Sequence, residues 1–170
     1  AAVLKLVPRP RQTEVALCAV ASPEAALALF TRFHRHDPAS VSAFEYMSGM
    51  GMDFVLKHIP GASLPLAARA AHYALIELTT PRPGNDLRAN LEAVLEAALA
   101  EAEVADAVIA ESDAQRAALW HLREEHSEGQ KREGASIKND VSVPVSRVPE
   151  LIARATAACQ ALMPGIRVAP

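Results

Sequence analysis

Arg123, Ser127 and Lys138 are the residues of this sequence whose types and spacing could do chemistry together. They fall in LWHLREEHSEGQKREGASIKNDVSVPVSR, residues 119–147. A guanidinium presents a planar fork that matches a carboxylate with two hydrogen bonds. A serine four residues later on a helix is a stacked neighbour and can add a third bond from the same side. Lys138, fifteen residues after Arg123, brings a second, more movable cation from the next, extended segment. Two cations and a hydroxyl suit a small organic acid. On a helix turning about 100° per residue, Trp120, Arg123 and Ser127 share a stripe of roughly 60°. That stripe lies beside the side formed by Gln115, Leu119, Leu122 and His126, where it can line a cleft wall. The plain surface reading of the same residues pairs Arg123 with Glu124 or Glu128, and Lys138 with Asp140. Such pairs contribute little.

The elements that must position these groups follow from apolar periodicity and turn residues. TEVALCAVA reads as a first strand, and Ser22, Pro23 and Glu24 open a helix to about His34. SVSAFEYM is a second strand, SGMGMDFVLKH a short helix, IPGASLPLA a loop and RAAHYALIELTT a long strand-like run. After the turn PRPGND, Leu87, Leu91, Val94, Leu95, Ala98, Leu99 and Ala102 recur at helical spacing. VADAVIAES is a strand, and Ser112 with Gln115 makes a capping box for the helix carrying Trp120 and Arg123. Past Gly134, SIKNDVSVPV is extended, and Pro149 and Glu150 start a helix. Val148, Leu151, Ile152, Ala155, Cys159 and Leu162 line its buried side, and IRVA begins another strand. The order predicts an α+β fold: a ferredoxin-like antiparallel sheet with helices packed on one face, and part of a second such unit at the C-terminal end.

Composition narrows the function. Of 170 residues, 51% are hydrophobic and 22% charged, which fits a globular domain with its own core. A formal net charge of −3 argues against a nucleic-acid partner, which needs a clustered basic face. No apolar run reaches the length of a membrane span. Two cysteines make no disulfide framework, so Cys18 and Cys159 are expected reduced and packed, in a reducing, cytoplasmic setting. Six histidines include no pair spaced to share one helix face with a third nearby, so no metal site is expected within the segment. Met47, Met50 and Met52, near Phe54, read as core filling.

LWHLRE, followed by IKNDVSVPVSRVPELI, resembles the C-terminal domain of FAD-linked oxidases. These are the D-lactate, D-2-hydroxyglutarate and glycolate dehydrogenases of the vanillyl-alcohol-oxidase-type flavoenzyme superfamily. AAVLKLVPRP resembles the strand by which such enzymes leave their FAD-binding domain, and SAFEYM their second cap strand. The resemblance implies a connecting strand over 1–12 and a substrate-binding cap domain over 13–170, cut before its last segment. It implies an FAD-dependent dehydrogenase oxidising a D-2-hydroxy acid to the 2-oxo acid. FAD would be held mainly by a domain of the same polypeptide outside this chain, and whether the full-length protein also holds a divalent metal stays open. Arg123, Ser127 and Lys138 match the family's substrate-carboxylate residues, and Trp120, Asn139, Phe44 and Tyr46 are candidate cavity-lining residues.

Two departures stand out. Asn139 sits where relatives commonly carry His or an aromatic residue. The GDGNxH-type motif that supplies the family's catalytic and metal-binding histidines follows a strand like IRVAP and is not in the sequence. No catalytic residue is therefore expected within this segment, and the fragment alone is expected to be inactive. The electron acceptor is open, membrane association through it included, and so is a homodimer. The alternative is a non-catalytic ferredoxin-like module that binds a small acid or mediates subunit contacts.

Overall fold

The computed structural model describes residues 2–4, 6, 8–84 and 86–170. The connecting strand expected over 1–12 falls partly on Ala1, Lys5 and Val7, and the PRPGND turn on Asn85, which lie outside the described residues. Among the described residues, four strands form one antiparallel sheet: β1 (Gln12–Val20), β2 (Val41–Ser48), β3 (His72–Thr80) and β4 (Val104–Ile109), in the order β2-β3-β1-β4. The helices are α1 (Pro23–His36), α2 (Gly49–His58), α3 (Leu87–Ala100), α4 (Asp113–Glu124), α5 (His126–Glu133) and α6 (Val148–Leu162). The sheet order and the two helical crossovers give the split βαβ arrangement that the sequence predicts.

The layer of helices expected on one face is present, and a second layer covers the other. Ala16, Cys18 and Val20 of β1, with Ala74, Ile76 and Leu78 of β3, pack under Leu29 and Phe33 of α1 and Leu91, Leu95 and Ala98 of α3. On the opposite face, Val15, Leu17, Ala19, Tyr73 and Leu75 pack under Met52 and Val55 of α2 and Leu119 and Leu122 of α4. The reason is in the strands. Val15–Val20 is apolar on both sides, and a strand that is apolar on both sides must be covered on both. Burial pushes the Cys18 thiol, in this core, up to about 12, with Asp106 adding to the shift.

Local chemistry fixes the helix starts. Ser22 Oγ accepts from Ala25 N, Asp86 Oδ1 from Ala89 N and Ser112 Oγ from Gln115 N. The capping box of α4 closes one residue off the usual pattern: Gln115 Oε1 accepts from Glu111 N at 2.6 Å. Helices α2 and α5 meet closely. A Cβ on Gly129 would stand 3.0 Å from Val55 N, and one on Gly51 2.7 Å from His126 Nδ1.

The C-terminal region departs from the expectation. Neither SIKNDVSVPV nor IRVA forms a strand, so the expected part of a second unit is not built among the described residues. Extended chain becomes sheet only when a neighbour takes its N–H and C=O groups. No strand of the described chain pairs with this run, and Ile137 and Val141 stay exposed. The apolar side of α6 is buried only at its start: Pro149 is covered, Val148, Leu151 and Ile152 are half-buried, and Leu162 is exposed.

Candidate functional site

Helix α4 brings Trp120 and Arg123 over the outer end of the second face, where β2 and β3 offer carboxylates rather than apolar groups. Trp120 Nε1 donates to Glu77 Oε2 at 2.9 Å, and Ser42 Oγ donates to the other oxygen of Glu77 at 2.8 Å. Arg123 Nε donates to Glu45 Oε2 at 2.7 Å. Glu45 stands opposite Leu75 and Glu77 opposite Ala43, which puts both acids on the face that α4 covers. The surface pairing of Arg123 with Glu124 or Glu128 does not form. Its partner is 78 residues away in sequence, and its side chain keeps 43% of its exposure.

The single helix expected through residue 127 is two helices. Glu125, at φ −81° and ψ 0°, ends α4 and precedes α5. Arg123 thus belongs to the last turn of α4 and Ser127 to the first turn of α5. Lys138 Nζ donates to Ser127 O at 3.1 Å, so the lysine joins the serine through its backbone, and its pairing with Asp140 does not form. The structure therefore makes two separate pairs, Arg123 with Glu45 and Lys138 with Ser127, and no hydrogen bond among the described residues joins one to the other. Ser127 and Lys138 are exposed, as is Asn139, and these groups lie on an open surface rather than in a closed hollow.

Phe44 and Tyr46 face the other way. Both pack against the core under α1 and α3, and they line a hollow of about 220 Å³ bounded also by Phe30 and Ile152. Phe44 meets Phe30 edge-on, and Tyr46 Oη lies 2.7 Å from His72 Nδ1. Burial pushes the Tyr46 hydroxyl up to about 12, with Glu24 adding to the shift. The sheet itself separates these two aromatics from Arg123.

Three contributors escape sequence reasoning: Glu45, Glu77 and His126. The signal for the first is an acid in the middle of SAFEYM, at the strand position alternating with Phe44 and Tyr46. His126 lies against Gly51 of α2, and its Nε2 is buried with no hydrogen-bond partner among the described residues. Burial first, and the Arg123 charge second, hold its imidazole down to about 4, so it is neutral near pH 7.

Elsewhere, Glu133 gathers Lys57, His58 and Arg167 within 2.7 Å, and these partners hold its carboxyl down to about 2. The cluster fastens the C-terminal tail to α2 and α5. Among the described residues no group of three or more His, Cys, Asp or Glu could hold a metal ion, and no helix is long and apolar enough to cross a membrane. Nor do they form a dinucleotide site. The left-handed glycines Gly61, Gly84, Gly134 and Gly165 stand singly in separate turns instead of building a phosphate-cradling loop.

Comparison with known proteins places this geometry. The family model for FAD linked oxidases, C-terminal domain, matches residues 9–169. A D-2-hydroxyglutarate dehydrogenase of Xanthomonas citri pv. viticola is 33% identical over 156 residues, covering 92% of this chain and 32% of that protein. The mitochondrial D-2-hydroxyglutarate dehydrogenase of Arabidopsis thaliana is 37% identical over 112 residues, 66% of this chain and 20% of that protein. The rat mitochondrial enzyme of the same name is 30% identical over 145 residues, 85% of this chain and 26% of its own length. The chain thus spans about a fifth to a third of the curated relatives it matches. A match over nearly every residue, on a split βαβ sheet with its arginine held at one edge, shows that the chain belongs to the family of FAD-linked oxidase C-terminal domains.

Proposed function

We propose that this chain is the substrate-binding part of an FAD-dependent dehydrogenase that oxidises a D-2-hydroxy acid to the 2-oxo acid. D-2-hydroxyglutarate is the acid that the names of the relatives favour. The observation that carries the reading is the state of Arg123. Its Nε is taken by Glu45, while no residue among those described takes its terminal nitrogens. Those two nitrogens together can grip a carboxylate bidentately. Ser127, in the first turn of the next helix, and Lys138, bonded to its backbone oxygen, offer a hydroxyl and a second positive charge. The surface is open in this chain, and the FAD-binding domain of the same polypeptide closes it. A flavin bound by that domain would supply the two-electron acceptor for oxidation at the hydroxyl-bearing carbon. The part of this chain is to bind the acid and orient it. No residue here is assigned to hydride or proton transfer.

The test is an anaerobic titration of the full-length, flavin-loaded protein with D-2-hydroxyglutarate, D-lactate and glycolate, following flavin bleaching. D-2-hydroxyglutarate is expected to bleach it. Arg123→Ala is expected to raise KM and lower kcat/KM about 10–100-fold, the scale of a lost hydrogen bond to a charged group. Unchanged kinetics with every acid tried removes the reading. A flavin that stays oxidised throughout leaves the non-catalytic module.

A further inference from the structure

We infer that Glu45 of β2 is a positioning residue: it holds the Arg123 guanidinium by Nε and turns the terminal nitrogens outward for the substrate carboxylate. The inference rests on the function proposed above and adds to it a residue outside the Arg123, Ser127 and Lys138 set.

The geometry is specific. A guanidinium carries five N–H donors, one of them on Nε. Glu45 Oε2 takes that one at 2.7 Å. The two terminal nitrogens keep four donors in one plane for a ligand. A long side chain left free would lose its rotamer freedom on binding, a cost that a prior contact removes from the binding step. Glu45 is well suited to fix it, because its own backbone lies in a sheet, paired with Leu75 of β3. One turn earlier, Glu77 of the next strand holds Trp120, so the same end of α4 is anchored twice to the sheet.

The contact has an electrostatic consequence. Glu45 offsets part of the charge of Arg123 at this end of α4. Glutamine at position 45 keeps an oxygen that accepts from Nε, whereas alanine releases the arginine.

The experiment uses the full-length, flavin-loaded protein with D-2-hydroxyglutarate. Glu45→Ala is expected to raise KM about 10-fold with kcat within about 2-fold, and Glu45→Gln to keep KM within about 3-fold of the parent. Ser112→Ala, which removes the N-cap at the far end of α4, loosens the helix without touching Arg123 and is expected to leave KM in place. An unmoved KM in Glu45→Ala, with KM raised in Arg123→Ala, overturns this inference and leaves the proposed function standing. An equal rise in Ser112→Ala also overturns it, since the effect is then general loosening of α4. An unmoved KM in Arg123→Ala removes the proposed function and this inference with it. Should Glu45→Ala fail to accumulate, Glu45→Asp draws the carboxylate back by one methylene. A raised KM with kcat kept then supports the inference, and an unchanged KM overturns it.

Discussion

Arg32 and Arg123 lie on opposite faces of one sheet, and their hydrogen bonds are spent differently. Arg32, on α1, donates from Nε to Glu103 Oε2 at 3.1 Å, and from Nη2 to Glu103 Oε1 at 3.0 Å and Glu101 Oε2 at 2.6 Å. Its Nε and Nη2 are filled inside the chain, and they tie α1 to the junction of α3 and β4. Arg123, on α4, gives only its Nε to Glu45. The faces differ in the same way. The first is apolar out to Phe44 and Tyr46. The second is apolar near the middle of the sheet and then becomes acidic at Glu45 and Glu77. A guanidinium bound by the fold through both Nε and a terminal nitrogen serves stability, whereas one held by Nε alone is available for recognition.

The strongest test of that contrast is Leu29→Ala. Leu29 is fully buried beneath α1 on the first face. Its truncation is expected to cost about 2–5 kcal/mol of stability. Urea unfolding measures the loss, while KM for the acid should hold wherever the protein remains folded. A shifted KM with intact folding would show that the two faces are coupled.

A smaller effect belongs to the second face. His126 is held down to about 4 in the fold, against a reference value of 6.5. As pH falls, the unfolded chain therefore takes up a proton before the folded one does. Stability that is complete above pH 6.5 is lost between pH 6.5 and 4, on the order of 1–2 kcal/mol by pH 5. His126→Leu removes the titrating group while still filling space beside Gly51. Unfolding measured across this window should fall with acid in the parent and stay flatter in the variant. Equal slopes would mean that His126 does not carry this part of the pH dependence. The Glu133 cluster acts in a separate range, since its carboxyl is held down to about 2 and its contribution is lost only below pH 4.5.

Much of the fold was legible in the sequence because its signals are local. Caps at Ser22 and Ser112 and the apolar spacing of Leu87, Leu91 and Val94 need only neighbouring residues to be read. The second helical layer was legible in principle, from the unbroken apolar run Val15–Val20. Less legible was whatever depends on distant partners. Glu45 acquires its role only when α4 crosses β2, and the alternating Ile137, Val141 and Val143 carry a strand pattern without a strand beside them. The break at Glu125 was hidden for a similar reason. Nothing in REEHSEG forbids a continuous helix, but packing α5 against α2 brings Gly129 onto the Phe54–Val55 backbone and His126 onto Gly51. The same packing sets Arg123 and Ser127 on separate helices, whereas sequence spacing alone would stack them on one.

Arg32→Ala returns to the two arginines with the smallest expected effect. The side chain is 25% exposed, and its partner Glu101 is 61% exposed, so water already screens much of the cluster. Exposed and partly exposed ion pairs contribute about 0.2–1 kcal/mol, and the loss should lie near the upper end because Glu103 is left with no guanidinium across both its oxygens. In the full-length, flavin-loaded protein, the proposed function has kcat and KM match the parent, in contrast to Arg123→Ala, where stability should change little and KM should rise. The two substitutions remove the same side chain from the same sheet. If both move KM alike, recognition cannot depend on which edge of the guanidinium the fold leaves free. If stability falls with one and affinity with the other, the hydrogen bonds each arginine makes within the chain account for the difference.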